Sequence, residues 1–219
     1  MTLHQQALLW DLDGTILDTK VCHFNSWRYA LNQFGLDLTQ QKFDASFGRN
    51  NHASLAIYLE QKVDKAFEDE IVKIKEDYFR ETAPRETQLV PGVISWFEDA
   101  EEMGMPQAIA SSAPMENITV LLNSFELTSY FDQIISGEHM PAKPHPDVFL
   151  EAAKSLNQSP SQCCVIEDSA HGVQAAKSAK MYCVAVTTSV SSDQFSLADL
   201  VLEDFTLPLE DALRRITSK

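Results

Sequence analysis

Ala7-Leu8-Leu9-Trp10-Asp11-Leu12-Asp13-Gly14-Thr15 is the stretch on which the fold turns. Its first four residues form an apolar run too short for a helix and without alternation, which reads as a parallel strand buried on both faces. The remainder is an acidic turn. Asp11 and Asp13 stand two apart on a continuing strand, so their carboxylates point into one site, and Gly14 lets the backbone turn sharply. Similar runs recur at Gln107–Ala110, Gln133–Ile135, Cys164–Ile166 and Tyr182–Val186, with a last candidate at Leu200–Leu202. Helical patterns separate them, over Val93–Met103, Glu116–Phe125, Pro146–Leu156 and Ala170–Ala179. Strands alternating with helices of this length predict βαβ units, hence an α/β, Rossmann-like doubly wound parallel sheet. Ligands in such sheets bind at the carboxyl ends of the strands.

Between Thr19 and about Glu86 the texture changes. Helical patterns dominate, at Cys22–Phe34, Ala53–Gln61 and Ala66–Phe79, with no convincing strand. This reads as a helical module inserted after the first strand, with Thr82–Thr87 as its return linker ahead of the Pro91-Gly92 turn. The expected organisation is a core of residues 1–18 and 87–219 and an inserted helical domain of residues 19–86.

Composition narrows the function. The 219 residues are 44% hydrophobic and 22% charged, as in an average globular protein, enough for one domain carrying an insertion. No run of 18 or more apolar residues suggests a membrane span, and Met1–Gln6 lacks the basic and apolar regions of a secretory leader. Thirty-two acids against seventeen bases give a net charge of −15, which repels a nucleic-acid backbone. An enzyme this acidic that handles phosphates must gather positive charge locally, from a metal and a few placed cations. Cys22, Cys163, Cys164 and Cys183 form no C-x-x-C pair and read as buried, reduced thiols of a cytoplasmic protein.

Each further strand end carries a polar signature. Ser111 and Ser112 follow the second run, where hydroxyls and amides can donate to a phosphoryl oxygen; the plainer reading is a helix cap. Lys143-Pro144 follows the third and offers a positioned ammonium; taken alone, a surface lysine is the plainer reading. Glu167-Asp168 follows the fourth. Mg²⁺ takes one or two carboxylates and completes its shell with water and phosphate oxygen, which Asp11 and Asp168 with the Asp13 carbonyl would allow. It is the conjunction on one sheet edge that makes a site.

These four signatures, in this order, resemble the haloacid dehalogenase-like superfamily over nearly the whole chain, in its β-phosphoglucomutase and phosphatase branch. The resemblance implies that Asp11 forms an aspartyl-phosphate and that Asp13 is the general acid/base. It implies that Ser111 and Lys143 hold the phosphoryl group, with Ser112 beside them. Mg²⁺ would sit at Asp11, Asp13, Asp168 and Glu167. The helical insert becomes a mobile cap, hinged at Asp18-Thr19. His23, Phe24 and Trp27 match the cap pattern H-F-x-x-W, with His23 positioning the general acid. Gly48-Arg49 fits a cap loop that reaches the leaving group, with Asn51 and His52 as lesser candidates.

Three departures weigh on the reading. Thr15 and Leu17 follow the phosphatase pattern and not that of the mutases. The mutases place a cap lysine four residues before a tyrosine; counting back from Tyr78 gives Ile74, between Lys73 and Lys75. Lys180 stands where a helix-ending glycine is usual, which costs about 1 kcal/mol. A dehalogenase is disfavoured by the second Asp, and a phosphonatase by the lack of a convincing Schiff-base lysine at Lys20 or Lys42. The expected function is an Mg²⁺-dependent phosphatase acting on a small phosphorylated metabolite such as a sugar phosphate, as a monomer. The alternatives are a β-phosphoglucomutase-type mutase and a catalytically silent sugar-phosphate-binding regulator.

Overall fold

The computed structural model describes residues 7–59 and 63–217. Met1–Gln6 and the expected helix end at Gln61 lie outside the described residues. Six parallel strands form one sheet: β1 (Ala7–Trp10), β2 (Gln107–Ser111), β3 (Gln133–Ser136), β4 (Cys163–Glu167), β5 (Tyr182–Val186) and β6 (Leu200–Leu202). Their spatial order is β3-β2-β1-β4-β5-β6. The order reverses direction at β1, so the crevice at the carboxyl end of β1 is the switch point where such sheets bind ligands.

Alternation along each strand feeds two cores. From β1, Leu8 and Trp10 enter one face and Ala7 and Leu9 the other. The first face is covered by α5 (Val93–Glu102), α6 (Met115–Ser124) and α9 (Leu209–Thr217), the second by α7 (Asp147–Ser155) and α8 (Ala170–Ser178). Trp10 anchors the first face: its ring lies edge-on to Phe97 at 4.8 Å, and its Nε1 donates to Gln107 Oε1 at 3.0 Å. All four cysteines are free and buried. Lys180 takes the left-handed conformation at the end of α8, with φ 61°.

The insert between β1 and α5 is helical: α1 (Lys20–Asn32), α2 (Gln40–Ser46), α3 (Asn51–Leu59) and α4 (Lys65–Glu86). It packs around its own small core, which includes Trp27, Phe43, Leu55, Tyr58 and Ile71. Helix α2 was not expected; it is seven residues long and buries only Phe43 and Ser46, too few for a visible period.

The return linker over Thr82–Thr87 is corrected: α4 runs on to Glu86 with Pro84 inside it. The reason is packing. Ile71, Lys75, Phe79 and Ala83 form one buried stripe at i, i+4 spacing that runs up to the proline, and the buried Thr87, four residues beyond Ala83, continues it on the far side. Pro84 removes a single donor, and Thr87 closes the helix with its N–H and hydroxyl both donating to the Ala83 carbonyl.

Candidate active site

The register of the sheet sets the site before any side chain is considered. Trp10 lies beside Ile109 on one side and Ile166 on the other, so Asp11, Ser111, Glu167 and Asp168 leave the sheet at nearly one level. Asp11 is held there by its N–H donating to the Ile166 carbonyl. The third signature reaches in from the loop after β3. Lys143 is 1% exposed, lies over the ring of Phe149, and donates to Asp11 Oδ1 at 2.6 Å and to Glu167 Oε1 at 2.7 Å. Lys143 is therefore a buried bridge and not a surface lysine.

Glu167 is fully engaged. Its Oε2 accepts from the N–H of Asp168 and from the N–H and hydroxyl of Ser169, at 2.7–2.9 Å, while Oε1 takes Lys143. Its closeness to the backbone depends on Gly172, where a Cβ would stand 1.7 Å from Oε1. Glu167 is thus arranged to hold Lys143, and direct metal ligation would cost it these contacts. Asp168 differs. Its Oδ1 accepts from Thr15 Oγ1 at 3.1 Å, and its Oδ2 is buried with no hydrogen-bond partner. A Cβ on Gly14, at φ +89°, would lie 1.9 Å from that oxygen, so only glycine leaves room there.

Electrostatics at this point are unbalanced. Three carboxylates (Asp11, Glu167 and Asp168) converge with ligand oxygens within 4.8 Å, and Lys143 offsets only one of them. Burial raises Asp11 to about 7, Lys143 opposes that rise, and the neighbouring charges of Glu167 and Asp13 add to it. Burial, with Glu167 and Asp11 beside it, pushes Asp168 well above the usual carboxylate range. Burial works against the charge on Lys143, but Asp11 and Glu167 outweigh it and raise the ammonium. The surplus negative charge and the orphaned Asp168 oxygen fit a small divalent cation with hard oxygen ligands.

Asp13 faces the insert. Its Oδ1 accepts from Thr19 Oγ1 at 2.8 Å and pairs with His23 Nε2 at 2.9 Å, and the His23 ring stacks on Phe79 at 4.1 Å. Burial would raise Asp13; the His23 charge and the hydrogen bonds from His23 and Thr19 outweigh burial and hold it below the usual range. Asp11 and Asp13 thus line one cleft with different partners, Asp11 tied to Lys143 and Asp13 to His23 of the insert.

A cleft runs between sheet edge and insert, lined on the core side by Asp11, Asp13, Ser111 and Ser112. His23, Gly48, Arg49 and Asn51 line it from the insert. Ser111 is buried, its Oγ accepting from the Ala113 N–H. The Ser112 hydroxyl instead donates to the Gly48 carbonyl at 3.0 Å. Arg49 donates to His171 Nε2 at 2.8 Å, and a backbone hydrogen bond joins His171 to Phe47. His52 is brought to Glu68, at 3.4 Å, and not to the cleft.

Sequence reasoning missed Lys75, which is 2% exposed and lines the cleft with its ammonium over the Trp27 and Phe79 rings. Its ring partner Phe79 is four residues on, so the lysine-before-aromatic spacing is present with Phe79 in the place of a tyrosine. The signal was available: a lysine on the apolar stripe Ile71-Lys75-Phe79-Ala83. His171 was also missed.

Among the described residues no helix is long and apolar enough to cross a membrane. Known proteins agree with this geometry. The family model of haloacid dehalogenase-like hydrolases matches residues 8–186. The chain is 31% identical over 184 residues to fructose-1-phosphate phosphatase YqaB of Escherichia coli, covering 82% of this chain and 95% of that one. It is 32% identical to Protein SUPPRESSOR OF QUENCHING 1, chloroplastic, of Arabidopsis thaliana, over 84% of this chain but only 18% of that longer protein. In structure it resembles a β-phosphoglucomutase from Clostridium difficile, with TM-score 0.88, 26% identity and 97% of each chain covered. With the sheet order, the four strand-end signatures and the inserted helical cap in place, the chain belongs to the haloacid dehalogenase-like hydrolase family.

Proposed function

We propose that the protein is an Mg²⁺-dependent phosphatase that hydrolyses a small phosphorylated metabolite, a sugar phosphate foremost, through an aspartyl-phosphate on Asp11. The observation that carries this reading is a carboxylate pair on one cleft with different partners: Asp11 pinned by Lys143 beside an orphaned Asp168 oxygen, and Asp13 paired with His23 of the insert. Asp11 and Asp168, with the Asp13 carbonyl, would hold the cation, which would neutralise the equatorial phosphoryl oxygens. The free Asp11 carboxylate oxygen attacks phosphorus as the bond from phosphorus to the leaving oxygen breaks. The Asp13–His23 pair delivers a proton to that oxygen. Water then attacks the aspartyl-phosphate and gives its proton to Asp13, which frees phosphate and restores Asp11. Lys143 keeps Asp11 oriented and balances charge on the transferring group. The helical insert of residues 19–86 serves as the cap that excludes bulk water and selects what leaves.

The second reading is a β-phosphoglucomutase-type enzyme, in which a second sugar hydroxyl takes the phosphoryl group. Lys75 in the cleft wall supports it, because a cation there can hold a bound sugar in place between two transfers. One assay separates the two. Wild type and Asp11→Asn are incubated with Mg²⁺ and a panel of phosphorylated metabolites while free phosphate is measured. In parallel, β-glucose 1-phosphate is followed to glucose 6-phosphate with a bisphosphate primer present. Phosphate release by the wild type that the variant and EDTA both abolish supports the phosphatase. Isomerisation without release would replace it with the mutase. Binding without turnover of anything would leave a regulator.

A further inference from the structure

The buried charge on α4 that the chemistry above does not use is Glu76. Its carboxylate is 4% exposed and lies behind Lys75, away from the cleft lining. Its Oε1 accepts from Lys75 Nζ at 2.6 Å and from Asn51 Nδ2 at 2.8 Å. Its Oε2 accepts from Asn117 Nδ2 on α6, at 2.5 Å, and Asn117 Oδ1 in turn accepts from Arg80 at 3.1 Å. Burial would raise Glu76, but Lys75, the hydrogen bonds from Lys75 and Asn117, and the His23 charge outweigh it and keep the group ionised. Lys75 therefore enters the cleft wall already neutralised.

The wall around it is otherwise uncharged: Trp27, Phe43, Ser46, Asn51, Ser54 and Tyr58 offer rings, hydroxyls and an amide. The other basic groups on this side are Arg49, held to His171, and His23, paired with Asp13. Resting on the phosphatase reading, we infer that Glu76 determines specificity: by cancelling Lys75 it makes the cleft favour phosphate monoesters with a neutral, hydroxylated leaving group over those bearing a second anion. Asn117 fixes the Glu76 oxygen from the core side, so the cancellation is in place whenever helices and core are closed together.

The test uses a matched pair that differs only in a distal phosphate, fructose 1-phosphate and fructose 1,6-bisphosphate. Wild type is expected to favour the monophosphate by at least about tenfold in kcat/KM; equal or better use of the bisphosphate overturns the inference. Glu76→Gln keeps the shape and frees one positive charge, and should move the ratio toward the bisphosphate by about tenfold, mostly through KM. The Lys75→Gln/Glu76→Gln double variant is neutral again and should return the ratio to within about twofold of wild type. A merely structural Glu76 would lower both substrates alike and leave the ratio unmoved, which overturns the proposal. Affinities of Asp11→Asn and Asp11→Asn/Glu76→Gln for the same two ligands, by calorimetry, give the ratio without turnover; no binding of either ligand overturns it too. A wild type that releases phosphate from no monoester sinks the phosphatase reading instead, whereas turnover with an unchanged ratio sinks this inference alone.

Discussion

The two sides of the cleft are built by different rules. On the core side, charges are buried and multiply tied: Lys143 bridges two carboxylates, and one Glu167 oxygen takes three donors. On the cap side, the loop over Phe47–Asn50 touches the core through hydrogen bonds, none of them to a carboxylate: Gly48 to Ser112, Arg49 to His171, and Asn50 to the Met140 carbonyl. Lys75 and Glu76, the cap's own buried ion pair, are tied to the core by one amide. A tightly tied side fixes which bond is made to phosphorus. A lightly tied side can open, and can change its leaving group without disturbing the chemistry. Breaking the core should therefore destroy catalysis and stability together, and breaking the cap should shift KM.

The largest effect is expected from Lys143→Met. Removing one partner of a buried pair leaves Asp11 and Glu167 facing each other, which destabilises by about 3–5 kcal/mol. Phosphate release should fall by about 10³-fold or more. Urea unfolding and the phosphate assay read the two; a stable variant that still turns over would show that Lys143 neither holds nor neutralises Asp11.

Next comes Gly172→Ala, a core change that touches no substrate. The new methyl would fall 1.7 Å from Glu167 Oε1, so Glu167 must swing away and Lys143 loses its second anchor. Overpacking of this kind costs about 1–3 kcal/mol. We expect kcat to drop about tenfold with KM within about twofold, because ground-state binding on the cap side is untouched.

Gly48→Ala probes the cap in the same way and should give the opposite split. Gly48 has φ +84°, and a methyl there would sit 2.6 Å from Ser169 Oγ, between loop and core. The left-handed backbone alone costs about 1–2 kcal/mol in a non-glycine residue. Because that cost falls on closure, KM should rise about tenfold with kcat lowered less than about threefold. Equal losses in kcat from Gly48→Ala and Gly172→Ala would abolish the distinction drawn between the two sides.

How much of this was legible in sequence follows the same divide. All six strands and the strand-end residues Asp11, Ser111, Lys143 and Asp168 were readable, because parallel strands are unbroken apolar runs and the topology then fixes where their ends lie. The cap resisted. Helix α2 buries too little to show a period, and Pro84 read as a stop because nothing local reveals that Ala83 before it and Thr87 beyond it are both buried and joined by hydrogen bonds. Lys75 was discounted by counting to Tyr78 instead of Phe79, and Asn117 carries no pattern that links it to Glu76 forty-one residues away. The role of Gly172 was invisible for a related reason: it consists of an absent side chain beside a carboxylate five positions earlier.

The smallest effect concerns His171, a core residue hydrogen-bonded to both Arg49 and Phe47 of the cap loop. Burial and the charge of Arg49 lower it from its ordinary value of 6.5, and Glu167 and the hydrogen bond to Phe47 only partly oppose them. The neutral ring accepts from Arg49; a protonated ring cannot, and repels it. Because the folded value lies below the unfolded one, the unfolded chain binds a proton that the folded chain resists. The sign follows: stability is unaffected well above pH 6.5 and declines as pH falls through that value. Closure should weaken over the same range, since protonation detaches Arg49 from the core. KM for a sugar phosphate should thus rise on the order of twofold to threefold between pH 7.5 and 5.5, the size expected for one partly exposed contact. His171→Gln keeps an acceptor for Arg49 and cannot titrate, so its KM should stay flat where the wild type's rises. Parallel profiles for the two proteins would place the pH sensitivity on Asp11, which burial raises to about 7, and would leave Arg49 without a titrating partner.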